Sequence, residues 1–168
     1  MTATQYTHHH GGEIRVAAPA KRVFEWMDDP HHLAAHMNRS SKMMAGGSMC
    51  TFLDEGQGRQ TGSHIQMRGR MLGFPLELDE IVIVREPPHR KVWETVGEPT
   101  LWVLGAYRMG FEVAQTGGEC RVYVFIDYNL PVSLWLQPLA WWMNRAYAVW
   151  CVDQMLSAVT EEFLHVQA

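Results

Sequence analysis

The chain has 168 residues, 47% of them hydrophobic and 19% charged, with a formal charge of −4. That length suits one core, and the scattered lysines and arginines form no basic stripe able to neutralise a run of phosphates, which argues against nucleic acid and acidic lipid surfaces. Three cysteines, Cys50, Cys120 and Cys151, are odd in number and widely spaced with no CxxC pair, so reduced thiols are expected rather than a disulfide frame or a zinc site.

Residues 1–12, MTATQYTHHHGG, carry neither the basic nor the apolar region of a secretory signal. They read as a weakly ordered terminus ahead of a single domain over 13–168, and a cytoplasmic location is expected. Glu13 to Ala18 suits a short strand. Pro19 then opens PAKRVFEWMDD, where Val23, Phe24 and Met27 recur at helical spacing. Asp29-Pro30 ends that piece, and PHHLAAHM follows as a second short helix with Pro30 in its first turn.

From about residue 39 to 129 the texture turns to β. SMCTFL, SHIQMRGRML, LELDEIVIV, RKVWETV, AYRMGFEV and CRVYVFIDY are strand-length runs, separated by the turn-like DEGQG, GFP, EPPH, GEPT and QTGGE. With the first strand this makes seven. Alternation assigns faces in the last two: Tyr107, Met109, Phe111 and Val113 oppose Arg108 and Glu112, while Val122, Val124, Ile126 and Tyr128 oppose Arg121 and Asp127. One sheet face is therefore expected to be buried.

A long helix is predicted from around Leu134 to about His165. It is no membrane span, because Gln137, Pro138, Asn144 and Arg145 interrupt it before about 20 apolar residues accumulate. At about 100° per residue its second half places Asp153, Gln154, Ser157, Thr160 and Glu161 outside, with Ala148, Val152, Met155 and Val159 inside. Extended backward, the same straight helix puts Trp135, Leu136, Leu139, Trp142, Met143, Ala146 and Trp150 on the outer side and turns Gln137, Asn144 and Arg145 inward. Three accounts are open. A kink between about Ala140 and Trp150 resets the phase; or the aromatic face is a real surface for a homodimer or a peripheral membrane contact through Trp135, Trp142, Met143 and Trp150; or Gln137, Asn144 and Arg145 meet a ligand in a partly polar cavity.

The order strand, two short helices, six antiparallel strands and a long C-terminal helix resembles the START-like (SRPBCC) superfamily of helix-grip proteins. That superfamily includes pollen-allergen-type, polyketide cyclase/dehydrase-like and lipid-transfer domains. The resemblance is carried by APAKRVFEWMDDPHHLAAHM, VWETVGEP, YRMGFEV and FIDYNLP. It implies an α+β fold in which a seven-stranded antiparallel curved sheet grips the C-terminal helix, commonly with an apolar cavity between them. On that basis the expected ligand wall is Tyr107, Met109, Phe111, Val124, Ile126 and Tyr128 from the sheet, with Trp141, Asn144, Arg145 and Ala148 from the helix.

Signals for specific chemistry are few. His32 and His36 are four apart and make half a metal site at most, without a third ligand at a matching spacing, and the two-histidine, one-carboxylate set of the iron oxygenases in this superfamily has no matching positions. His64, Glu77, Asp79, Glu94 and Asp127 are acid/base candidates, but alternation places His64 and Asp127 on the solvent side. GxSxG, Walker, HExxH and dinucleotide motifs are absent. The expectation is a protein without metal or cofactor that binds a small hydrophobic or amphipathic molecule, such as a lipid, polyketide or aromatic metabolite. The alternatives are a cyclase- or dehydratase-like enzyme using the same cavity, and an interaction module using the aromatic helix face.

Overall fold

The computed structural model of the chain describes residues 5–33, 48–71, 74–97, 99, 104–130 and 137–164. The elements in chain order are β1 (His8–Val16), α1 (Ala20–Met27), α2 (Pro30–Leu33), β2 (Ser48–Leu53), β3 (His64–Met71), β4 (Phe74–Glu86), β5 (Arg90–Thr95), β6 (Tyr107–Thr116), β7 (Glu119–Tyr128) and α3 (Gln137–Leu164). All strand pairs are antiparallel, in the order β1-β7-β6-β5-β4-β3-β2. Apart from the β1–β7 pairing, neighbours in space are neighbours in sequence, which is why turn chemistry and period-two patterning locate the strands so well.

Directly opposed residues in an antiparallel pair project to the same face, so the register assigns the inner wall. Ile65 opposes Glu80, Val82 opposes Trp93, Trp93 opposes Met109, and Met109 opposes Ile126. These, with Met67, Leu76, Leu78, Phe111, Val113, Val122 and Val124, are buried in one core. Val23, Phe24 and Met27 of α1 close one end of it, the Phe24 ring lying 5.5 Å from that of Phe111.

β1 begins at His8, five residues before the expected start at Glu13, so His8 to Gly12 are paired to β7 rather than loose. Histidines alternate across this segment and hide the strand pattern: His9 is on the outer face with Nδ1 2.6 Å from Asp127, while His8 and His10 are on the inner face opposite Tyr128 and Ile126, His8 stacking on Tyr128 at 5.3 Å. Gly12 faces the helix. A Cβ there would come within 2.9 Å of Leu156 Cδ1 and 3.3 Å of Val152 Cγ1, so the bare backbone lets α3 lie directly on β1.

α3 is helical without interruption over its 28 residues. Val152, Met155, Val159 and Phe163 are buried in its second half, while in the first half Asn144, Tyr147 and Ala148 are buried and Trp142 and Met143 are 68% and 50% exposed. The phase is therefore not reset by a break. The inverted faces hold for Trp142, Met143, Asn144 and Ala146, with two differences: Trp150, expected outside, is half-buried and packs against the core beside Tyr147 at 5.6 Å, and Arg145 is exposed, not turned toward the sheet. It stands one position past Asn144 at the margin of the buried face, where a long side chain reaches water. Trp135 and Leu136, and the rest of PHHLAAHM beyond Leu33 including His36, lie outside the described residues.

Candidate functional site

The inner wall carries a carboxyl group among apolar side chains. In LELDEIVIV the inward register is Leu76, Leu78, Glu80, Val82, so Glu80 takes a core position and is 4% exposed. Its Oε1 accepts a hydrogen bond from the Tyr107 hydroxyl on β6, and the Trp93 indole on β5 donates to it as well. Burial is the largest influence on this acid and pushes its pKa from 4.5 up to about 7; the Tyr107 and Trp93 hydrogen bonds and the Lys91 charge oppose that rise, while Asp79 adds to it. Glu80 is thus a carboxyl that changes charge near neutrality, an uncommon property outside functional sites.

α3 faces this group with Tyr147 and Cys151, one turn apart, which interact electrostatically with each other and with Glu80. Burial holds both hydroxyls, Tyr107 and Tyr147, well above the usual tyrosine range and pushes the Cys151 thiol up to about 12. All three are therefore neutral at ordinary pH. Asn144 lies three, four and seven residues before Tyr147, Ala148 and Cys151, hence on the same helix face. It is 1% exposed, and among the described residues neither its Nδ2 nor its Oδ1 has a hydrogen-bond partner.

A second buried polar cluster closes the α1 end. Lys91, on the inner face opposite Phe111, donates from Nζ to Asp28 Oδ1 at 2.9 Å and to the Asp28 carbonyl at 2.7 Å, and Arg85 reaches Asp28 Oδ2 at 2.8 Å. Burial works to raise the Asp28 pKa, but hydrogen bonds and charge from Arg85 and Lys91 outweigh it and bring the carboxyl below its usual range. Burial likewise lowers the Lys91 pKa, with Asp28 opposing. The cation is committed to this acid and not offered to the interior.

Of the residues expected to form a ligand wall, Tyr107, Met109, Phe111, Val124, Ile126 and Tyr128 line the inner sheet face and are buried, as are Asn144 and Ala148 on the helix. Phe111 sits toward α1, between Phe24 and Trp93. Tyr107 sits at the Glu80 end. Arg145 is outside, near enough to His10 and Tyr128 to act on their charge; the Trp141 side chain lies outside the described residues. The five acid/base candidates are all on the outer face, in ordinary cross-strand pairs: His64 with Asp79 at 2.9 Å, Glu77 with Arg68 at 2.8 Å, Glu94 with the Tyr6 hydroxyl at 3.2 Å, and Asp127 with Arg108 at 2.7 Å. Glu80, Trp93, Tyr147 and Cys151 were not singled out from the sequence, although period-two counting through LELDE finds Glu80 directly.

No family model matches the chain, and no curated protein matches it in sequence. Solved structures do match its fold. The Zhui aromatase/cyclase from Streptomyces sp. R1128 is similar at a TM-score of 0.69 and 15% identity over 96% of both chains. Truncated norcoclaurine synthase from Thalictrum flavum is similar at 0.65 and 17%, again over 96% of both. The major latex-like protein 151 from Panax ginseng is similar at 0.61 and 14%, over 94% of this chain and 97% of that one. The chain has the helix-grip fold of these structures, a seven-stranded antiparallel curved sheet with a long C-terminal helix. Among the described residues no helix is long and apolar enough to cross a membrane.

Proposed function

We propose that this chain binds a small apolar or amphipathic molecule, of the lipid, polyketide or aromatic-metabolite kind, between the inner sheet face and α3. The observation that carries the reading is Asn144. A buried carboxamide with both polar atoms unpaired costs about 1–3 kcal/mol for each unsatisfied group, and a ligand bearing a hydroxyl or carbonyl would relieve that cost. The buried Met109 and Ile126 of the inner sheet face, with Ala148 one turn on from Asn144, suit the body of such a ligand. Native mass spectrometry followed by denaturing extraction tests the reading. A reproducible small-molecule adduct is expected, diminished in Asn144→Leu. An empty spectrum, together with tryptophan fluorescence that does not respond to N-phenyl-1-naphthylamine, would overturn it.

Glu80 favours a second reading, a cyclase- or dehydratase-like enzyme in which this carboxyl moves a proton. It requires a rate that depends on a group titrating near 7 and that collapses in Glu80→Gln; turnover indifferent to that change excludes it. The exposure of Trp142 and Met143 favours a further role for the outer helix face, in self-association or membrane contact. Replacing both with lysine should then lower the mass in solution or abolish vesicle binding while the chain stays folded.

A further inference from the structure

We propose that Glu80, Tyr107 and Asn144 form a recognition site for a neutral apolar compound bearing a hydroxyl or carbonyl, and that this site turns away ligands carrying a carboxylate or phosphate. The inference rests on the binding reading above and narrows it to one chemical class.

Charge on the inner wall supplies the first argument. An anionic head needs a cation or a set of free donors, and among the described residues the buried lysine or arginine on this wall is Lys91, held by Asp28 at 2.9 Å. Arg145 is exposed. His10, opposite Ile126, and Arg145 bear on the Tyr128 margin of the wall, whereas the ionisable group bonded to Tyr107 is an acid, Glu80, and a second anion brought beside it in a dehydrated space is repelled.

Hydrogen-bond capacity supplies the second. Tyr107 spends its donor on Glu80, and Trp93, Tyr147 and Cys151 are turned to the fields of Glu80 and of one another. That leaves the Asn144 carboxamide, one turn away, with an unpaired acceptor and an unpaired N–H donor group. A hydroxyl, which both donates and accepts, satisfies both atoms; a carbonyl takes the donor; a carboxylate can take the donor only and leaves Oδ1 facing an anion.

The groups that bear on Glu80 are Tyr107 from β6, Trp93 and Lys91 from β5, Asp79 beside it on β4, and Tyr147 and Cys151 from α3. Because burial lifts its pKa to about 7 against the Tyr107 and Trp93 hydrogen bonds, the rejection of anions strengthens as pH rises through that value.

Isothermal titration with 2-naphthol and 2-naphthoate, which share a ring system and differ in charge, tests the inference. At pH 8 the wild-type chain should bind 2-naphthol at least about tenfold more tightly than 2-naphthoate, and the gap should shrink at pH 5.5. Glu80→Gln should close most of the gap and remove its pH dependence. Tyr107→Phe, which deletes a donor that stabilises the carboxylate, should move the onset of discrimination to higher pH and serves as an independent variant should Glu80→Gln fold poorly. Equal affinities at pH 8, or a gap that neither variant alters, would overturn the proposal while leaving the binding reading in place. Binding of neither probe, with no extractable ligand, would overturn both.

Discussion

Replacing Glu80 with glutamine should stabilise the chain at pH 8 relative to pH 5, by an amount the buried carboxyl itself sets. In the unfolded chain this acid ionises near 4.5; folded, it holds its proton until about 7. Between those values the folded state binds the extra proton, so stability falls as pH rises through the window and levels off above it. At about 1.4 kcal/mol per pH unit the loss is about 3 kcal/mol. His10 acts with the opposite sign, because burial lowers its pKa, so the wild-type curve alone mixes the two. The difference between wild type and Glu80→Gln removes the His10 contribution, since both chains carry it. Urea unfolding of both chains at pH 5 and pH 8 measures that difference, which should shift toward the variant by about 3 kcal/mol between the two conditions. A difference constant to within about 0.5 kcal/mol would refute the claim that Glu80 is buried with a raised pKa.

Asn144→Leu, which keeps the branched shape and heavy-atom count, removes two unpaired polar atoms and should raise stability by about 1–3 kcal/mol in urea unfolding, while weakening any bound ligand. Asp28→Ala strands Lys91 without its counter-charge and should cost about 3–5 kcal/mol; Lys91→Met should cost less, because Arg85 still holds Asp28 at 2.8 Å. Equal losses in those two variants would show that the buried lysine is not held by Asp28. Gly110→Ala should cost about 1–3 kcal/mol in thermal unfolding, since a Cβ there would stand 2.8 Å from both the Lys91 carbonyl oxygen and the Phe125 ring.

The strands were legible because each runs between turn residues and alternates in polarity, and residues such as Tyr107, Met109, Val124 and Ile126 fall on the inner face as their spacing requires. The inverted phase of α3 was legible too: Trp142 and Met143 outside, Asn144 inside, with no break in the helix. Three things escaped. β1 was begun late because HHHGG has no apolar alternation of its own, its cross-strand partners on β7 being more than a hundred residues away in sequence. Arg145 was turned inward because angular position fixes a Cα and not where a long side chain ends. Glu80 was hidden between Glu77, Asp79 and the valines that follow: a carboxylate in an acidic stretch is ordinarily solvated, and only the inward register of Leu76 and Leu78 marks this one as buried. Its partners Tyr107 and Trp93 come from β6 and β5, so nothing local announces the hydrogen bonds that hold it.

The uninterrupted α3 has unequal fastening along its length. Its second half is secured by Val152, Met155, Val159 and Phe163 on a strand that Gly12 has cleared for it, while the turn around Asn144 rests its unpaired carboxamide, Tyr147 and Ala148 above the sheet and turns Trp142 outward. Lifting the turn around Asn144 breaks no hydrogen bond at that residue among the described residues, whereas lifting the last turns exposes Val152, Met155, Val159 and Phe163. The anchorage of this helix to the sheet is therefore weighted toward its C-terminal turns, where the apolar contacts are continuous, and the buried amide of Asn144 marks the place where that continuity is interrupted.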